Sequence, residues 1–572
     1  MSALDASDTT VDVEARLAHV EQLLADGEAA AAQLEVAAVL QQHPEAHRAY
    51  YLAGRIERLA GHAESAMKLL RHAAELGPAH VETHLELAAL LRRGREFDKS
   101  MDELGIALYH DPENAQAYFE LGNIHRLQGD LDGAESFFRK AIEKDPALGQ
   151  AYTELGWICL TRERYDEAIE MLEKTIELDP GSLVGHNNLG FAYVKTEQYD
   201  RAMRLFADLS SRMPRNMLWP KINLGNAYEH TGQFDKAEQI CDEILMHEPN
   251  NFSAHWNRAH NLLSRQDFER GWSEYEYRFQ VEGIWRPRLI PFAPWQGEPL
   301  AGKTIMVIAE QGLGDQIMFS SCLPQLAAQA GRVILECEHR LAPLMQRSFP
   351  EVQVIGSRHE LKPPWLRDVG EVDYQVSICS LPSFFRRKLE DFPKHHGYLA
   401  ADPQKVERWR TELAKLGPGL KVGISWRGGT TSTRRSLRSI ALRDLTQILQ
   451  VPGCRFVSLQ YGKCVEEIQQ ARSEGLELEH WQEAIDDYGE TAALCTALGL
   501  TVSVCTAVIH LNGALGRPVW VMVPSVPEWR YGREGESMPW YPSVRLFRQR
   551  SSNDWDDVFS AVARALAVRA SA

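Results

Sequence analysis

The sequence predicts a multidomain protein with two architectures in one chain: an all-α array of repeated helix pairs, then an α/β region built on two parallel sheets. Three observations carry this. Prolines recur on a fixed beat through the first 250 residues, short apolar strands alternate with helical patterns after residue 300, and the charge changes character between the halves. At 572 residues the chain is also too long for a single hydrophobic core.

The beat is read from Pro44, Pro78, Pro112, Pro146, Pro180, Pro214 and Pro249, which stand 34 residues apart with a last gap of 35. Small residues keep the same time at Ala66, Ser100, Ala134, Ala168, Ala202 and Ala237, as do the pairs Leu121-Gly122, Leu155-Gly156, Leu189-Gly190 and Leu224-Gly225. One unit, "AQAYFELGNIHRLQGDLDGAESFFRKAIEKDPAL", reads as two amphipathic helices joined by a Gly-containing turn and closed by Asp-Pro. Period, small-residue sites and closing proline together resemble the tetratricopeptide repeat, with seven to eight helix pairs expected over residues 14–280. One pair cannot bury its apolar face alone, so stacked pairs share a core and leave a groove. The resemblance implies that the groove takes an acceptor protein or peptide, with Asn123, Asn188 and Asn226 as candidate lining residues; spacing or self-association of the chain into a homo-oligomer is the plainer use. Residues 1–250 carry 24 Lys/Arg against 43 Asp/Glu. That acidity argues against nucleic acid as their partner.

After Pro249 one more helical pattern closes the array, and periodicity is lost in "IWRPRLIPFAPWQGEPLAGK", so residues 281–302 are expected to be a linker. "TIMVIA", "RVILECE", "VQVIG" and "YQVSI" then predict a first group of strands within 303–400. "KVGISW", "RFVSLQ", "LTVSV" and "PVWVMV" predict a second within 401–552. Short apolar strands separated by helices imply parallel sheets covered on both faces. Two Rossmann-like lobes would place a cleft at the carboxyl ends of both sheets. Residues 553–572 read as an amphipathic helix packing back across the lobes.

Three segments fall at predicted strand ends. In "TIMVIAEQGLGDQIMF", Gly312 and Gly314 suit a tight turn and Asp315 opens a helix, either as a capping carboxylate or as a general base facing the cleft. "KVGISWRGGTTSTRRSLRSIAL" holds Arg427, Arg434, Arg435 and Arg438 among glycines and hydroxyls with no acidic residue, a composition suited to a diphosphate. In "LTVSVCTAVIHLNGALGRPVWVMVP", the Thr506 and Ala507 amides open a helix that offers N–H groups and a dipole to phosphate oxygens. His510, one turn in, reads more readily as a packed histidine than as a catalytic one. Trp426, Gln460 and Cys505 complete the expected donor-binding set; Trp426, Tyr461 and Trp481 are the aromatic candidates for stacking on a base, or for packing.

Residues 300–550 resemble the GT-B glycosyltransferases, nearest the ADP-heptose (lipopolysaccharide heptosyltransferase) family. The resemblance rests on Gly314-Asp315-Gln-Ile317 and on Thr506-Ala-Val-Ile-His510-Leu511-Asn-Gly-Ala514-Leu515-Gly516-Arg-Pro518. Joined to the repeats, it resembles bacterial tetratricopeptide-linked glycosyltransferases, including ones that modify flagellin. The fold it implies is an all-α TPR superhelix followed by an α/β GT-B half. The function it implies is inverting, metal-independent transfer of a sugar from a nucleotide-sugar donor to an acceptor-protein hydroxyl. Asp315 would act as base, and Arg434, Arg435, Arg438 and Thr506 would hold the phosphates; no metal or other cofactor is expected. Cys505 stands where that family has an aspartate, and a thiol neither carries charge at its ordinary pKa nor accepts two charge-assisted bonds. The alternatives are an enzyme acting on a glycolipid or polysaccharide, and an inactive scaffold that binds nucleotide sugar.

Nine scattered cysteines without a Cys-x-x-Cys, an acidic N-terminus and the lack of an apolar run of about 18 residues together predict a cytoplasmic protein without a membrane span.

Overall fold

A computed structural model describes residues 3–214, 216–281, 288, 290–358, 360–361, 363–428, 436–551 and 554–571. The chain divides into two compact units, Met1–Arg212 and Met213–Ala572.

The first unit is helical throughout. Its pairs are Ala3–Ala25 with Ala29–Gln42, His47–Leu59 with Ala63–Leu76, Val81–Arg93 with Phe97–His110, Ala115–Gln128 with Leu131–Lys144, Gly149–Thr161 with Tyr165–Leu178, and Leu183–Lys195 with Tyr199–Arg212. Each closing proline acts through its predecessor, because a residue before proline is driven out of the helical region. His43, Gly77, Asp111, Asp145 and Asp179 accordingly all leave their helices at φ between −133° and −137°. The turn inside each pair also keeps the beat. Gly27, Gly61, Arg95, Gly129, Glu163 and Glu197 stand 34 apart and every one has positive φ, so half of these left-handed positions are held by residues with a Cβ. The small residues sit where helices nearly touch: a Cβ on Gly122 would lie 2.6 Å from the Phe138 ring, and one on Gly190 2.2 Å from Phe206.

A polar staple repeats as well. The side chain six residues past the proline reaches back to the proline carbonyl, His84 Nε2 at 3.0 Å from Pro78 and the Tyr118 hydroxyl at 3.2 Å from Pro112. His84 Nδ1 also meets the Glu103 carboxylate at 2.6 Å. Both ring nitrogens face acceptors, which only the imidazolium satisfies. The hydrogen bond to Glu103 accordingly raises the His84 pKa above 6.5 despite burial.

The second unit begins with two more pairs, Trp219–His230 with Phe234–His247 and Phe252–Ser264 with Phe268–Tyr275, followed by a 3₁₀ turn over Glu276–Phe279. Its first sheet contains β1 (Ala293–Pro294), β2 (Thr304–Ile308), β3 (Arg332–Glu338), β4 (Gln353–Ser357) and β5 (Tyr374–Ser377), in the order β1-β5-β2-β3-β4. The second contains β6 (Leu420–Ser425), β7 (Cys454–Ser458), β8 (Leu478–Glu479), β9 (Leu500–Val504), β10 (Val519–Val523) and β11 (Val544–Arg548), in the order β11-β10-β9-β6-β7-β8. All the pairings are parallel, with Ile308 beside Ser377 and Ser425 beside Ser503.

Three expectations change. The division falls after residue 212 rather than at 281–302, because the Phe252–Ser264 and Phe268–Tyr275 helices join the core of the first lobe. Trp272 is buried there and donates its indole N–H to the Arg386 carbonyl at 2.8 Å. The described part of the connector is no tether either: β1 pairs with β5, Arg288 forks onto the buried Glu336 at 2.9 and 3.0 Å, and Trp295 stacks on Phe384. Last, the Asp556–Ser571 helix does not cross the lobes. Val558, Phe559, Val562 and Leu566 all pack into the second lobe alone. The nine cysteines are all buried and unpaired, and no described helix is long and apolar enough to cross a membrane.

Gly129→Ala adds a Cβ to open space at φ +84°, so it isolates backbone strain and is expected to lower stability by about 1 kcal/mol. Gly190→Ala is expected to cost more, about 1–3 kcal/mol from overpacking against Phe206; thermal unfolding of the two variants orders them. Because the folded pKa of His84 is raised, its contribution is complete below pH 6.5 and fades as pH climbs through the raised value. The melting temperature of His84→Gln should therefore fall less than that of the unmodified chain between pH 6 and pH 9, a window set by that direction of shift.

Candidate functional site

In a doubly wound parallel sheet the ligand crevice opens at the carboxyl ends of the strands, where the chain reverses its direction across the sheet. The first sheet grows from β2 through β3 and β4 on one side and returns to β5 on the other. The second grows from β6 through β7 and β8, then returns through β9 to β10 and β11. The reversal points are the segments after β2 and β5, and after β6 and β9. The Gly-Asp segment, the Trp426–Gly428 segment and the Cys505–Ala507 segment stand at them.

At the first reversal point Asp315 lies in the opening turn of the Leu313–Phe319 helix. Gly312 is the N-cap and donates its N–H to Asp315 Oδ2 at 3.2 Å. The tight turn expected of the glycines is made by another residue: Gln311 carries φ +61°, while Gly312 is extended at −83°. Gln311 is held from the last helix pair, its amide donating to the Tyr275 hydroxyl at 2.7 Å. Gly314 is small for a different reason. A Cβ there would lie 2.9 Å from His510 Cδ2 and 3.6 Å from the Ala507 Cα, because the Leu313–Phe319 helix packs directly on the Ala507–Ala514 helix of the second lobe. The two sequence motifs thus meet face to face.

At the second reversal point several expected donor contacts turn inward. Trp426 is fully buried in the core of the second lobe. Gln460 staples strand ends: its Oε1 accepts from the Trp426 and Arg427 amides at 3.0 and 2.8 Å, and its Nε2 donates to the Arg427 and Tyr461 carbonyls. These bonds leave the amide no spare donor for a ligand. Arg427 donates to the Lys463 carbonyl at 2.7 Å and pairs with Glu467 at 3.2 Å. Cys505 is buried, and burial pushes its thiol up to about 12. His510 is buried too, lying 3.1 Å from the Tyr541 hydroxyl, and desolvation with the nearby Arg530 charge lowers it to about 3. It is a neutral packing residue against Gly314. Tyr461 is half exposed, whereas Trp481 leans on Trp409. Arg434 and Arg435 lie outside the described residues.

Thr506 and Arg438, both expected to hold phosphates, gather with Gly428 at the lobe junction. Thr506 caps the Ala507–Ala514 helix without a side-chain capping bond, its hydroxyl meeting Ser503 at 3.1 Å instead. Gly428 abuts the Cys505 carbonyl and donates its N–H to the Arg438 carbonyl at 3.0 Å. Arg438 is buried and pairs with Glu528 at 2.6 Å. Sequence reasoning missed the residues that complete this junction, Glu528 and Arg530, which flank Trp529 on a 3₁₀ turn after β10. Arg530 donates from Nη2 to Asp315 Oδ1 at 2.6 Å and pairs through Nη1 with Glu528. Asp315, Arg530, Glu528 and Arg438 therefore form an alternating chain of charge across both reversal points. The two carboxylates hold the Arg530 guanidinium above its usual pKa against the effect of burial.

In the first unit Arg58, Arg92 and Arg126 pair with Glu86, Glu120 and Glu154 at 2.7, 2.7 and 3.1 Å, one rung per repeat. Asn188 takes the next acidic position on the same beat, opposite Leu160, and ends the ladder. Trp157 and Phe191, also 34 apart, are exposed beside that break, whereas Asn123 is buried. Asn226, in the second unit, accepts from Asn257 at 2.5 Å.

These features define a helical-repeat protein carrying a two-lobed parallel α/β region. Tetratricopeptide repeat models match residues 115–181, 160–216 and 197–264, so the repeats are of that kind. The chain is similar to Protein FlbA of Caulobacter vibrioides, 38% identical over 324 residues, which is 54% of this chain and 54% of that one. It thus spans about half the length of this curated relative. Among solved structures, it is 20% identical to Pseudomonas aeruginosa pilF over 38% of this chain and 98% of that one, with a TM-score of 0.34. It is 22% identical to YrrB, described as a TPR protein with an unusual peptide-binding site, over 32% and 96%, with a TM-score of 0.25.

Gly314→Ala is expected to cost about 1–3 kcal/mol by forcing the two motif helices apart. Because the nearest atom belongs to His510, the loss should be smaller when Gly314→Ala is made in a His510→Ala background, which thermal melts of the four proteins measure.

Proposed function

We propose that the α/β unit is a GT-B glycosyltransferase moving a sugar from a nucleotide-sugar donor to a hydroxyl of an acceptor protein recruited by the repeats. The observation that carries this reading is the meeting of Asp315, at one sheet's reversal point, with Arg438, Arg530 and a helix N-terminus at the other's. Asp315 would take the proton from the acceptor O–H as the new O–C bond forms at the sugar. The bond from sugar to diphosphate breaks on the opposite face, which inverts the centre, and the diphosphate leaves with the electron pair. The guanidinium groups and the amides of Thr506 and Ala507 would receive that growing charge. The repeats support protein recognition, the common use of such arrays, and the exposed Trp157 and Phe191 give the acceptor an apolar place to bind.

A second reading, a nucleotide-sugar sensor without turnover, draws on Cys505 and on the fact that both Asp315 oxygens are already engaged. Release of nucleoside diphosphate from a panel of nucleotide sugars, with intact-mass measurement of co-expressed acceptor proteins, separates the two. The transferase reading expects turnover in the unmodified chain and a loss of about 100-fold or more in Asp315→Asn. Donor binding with no turnover in either protein would select the sensor.

A further inference from the structure

Resting on the transferase reading, we propose that Arg530 is a donor-sensing latch on Asp315: it occupies the carboxylate until an arriving diphosphate draws it away and frees the base.

The Asp315 oxygens are not held alike. Oδ2 takes the N–H of Gly312 within its own helical turn, a local bond that persists as long as the helix does. Oδ1 takes Arg530, which belongs to the other lobe and lies 215 residues away in sequence. Of the two partners, only Arg530 can leave without unwinding backbone. Its own backbone is fixed: Trp529 packs edge-on against Trp272, and Arg533 is tied to the Ser264 hydroxyl at 2.9 Å and the Asn261 carbonyl at 3.1 Å. The latch therefore moves by side-chain rotation on a rigid turn and needs no opening of the lobes.

The geometry also shows where Arg530 would go. Glu528 grips both guanidiniums, Arg438 and Arg530, and the Arg438 backbone meets the opening of the Ala507–Ala514 helix through Gly428. Arg530 is shared between Asp315 and Glu528, and Glu528 in turn between Arg530 and Arg438, so the pairing at Asp315 is one link of a chain in which carboxylates can be exchanged. A diphosphate offers several anionic oxygens at once, which a guanidinium fork prefers to a lone carboxylate oxygen. Four charged side chains at a largely desolvated junction are costly, and apolar residues would join the lobes at least as firmly. An exchangeable pairing accounts for their presence. Glu528 acts here as a positioning residue, holding both guanidiniums.

The test is calorimetric titration of the full chain with inorganic pyrophosphate. Asp315→Asn removes the competitor and should tighten binding roughly tenfold, while Arg530→Met should weaken it by a similar factor. The double variant should show none of the gain from Asp315→Asn, since the two effects act through one pair. Arg530→Lys, which keeps the charge but loses the fork, should give the same coupling in reduced measure and serves if Arg530→Met folds poorly. Pyrophosphate affinity that is indifferent to Asp315→Asn overturns the latch, and Asp315-dependent donor turnover in that case would leave the transferase reading standing. Coupling between the two residues without turnover of any nucleotide sugar would keep the latch and overturn the transferase.

Discussion

The buried pair between Arg278 and Glu310 is the interaction on which the site depends. Arg278, on the 3₁₀ turn that ends the last repeat, gives Glu310 two of its nitrogens at 2.5 and 2.9 Å and donates to the Ser380 hydroxyl at 2.8 Å. Both charged groups are almost fully enclosed, and removing Arg278 leaves Glu310 buried without its counter-charge, a loss of about 3–5 kcal/mol, whereas Arg278 without Glu310 still has Glu276 at 2.8 Å. Glu310 is followed at once by Gln311, in its left-handed conformation, and then by the turn that aims Asp315. The same helix pair holds the opposite loop through Arg533. The last repeat therefore fixes both loops of the lobe junction, and the Phe252–Ser264 and Phe268–Tyr275 helices pack into one core with the α/β lobes.

How much of this could be read from the chain follows from the range of each interaction. The repeats were legible because their constraints are local and recur: a proline, a small residue and a turn every 34 residues leave a mark in sequence. The eight apolar strands were legible for the same reason. β1 and β8 escaped notice because they are two residues long, and β11 because edge exposure puts Arg545 among its apolar residues. The boundary at residue 212 was not legible, since the last repeat keeps the period while burying its aromatic residues in a different core.

At the site, proximity to a strand end told which segments would gather but not which way each side chain faces. Trp426 and Gln460 both stand at strand ends, yet one faces the core and the other spends its amide on backbone. Asp315 and Gly314 were found because a Gly-Asp turn after a strand has a recognisable form. Glu528 and Arg530 had none. Their meaning comes from a partner 215 residues distant, and it exists only once the lobes are assembled.

The cysteines have a practical bearing. All nine are enclosed, and burial raises every thiol, to about 11 at Cys159 and Cys322 and about 12 at Cys241, Cys495 and Cys505. Since the thiolate is the reactive form, the native chain offers almost nothing to a maleimide near neutral pH. A fluorophore or spin label can thus be installed on a single introduced cysteine, for instance Tyr109→Cys on an outer helix, against a silent background and without stripping the core of its sulfur.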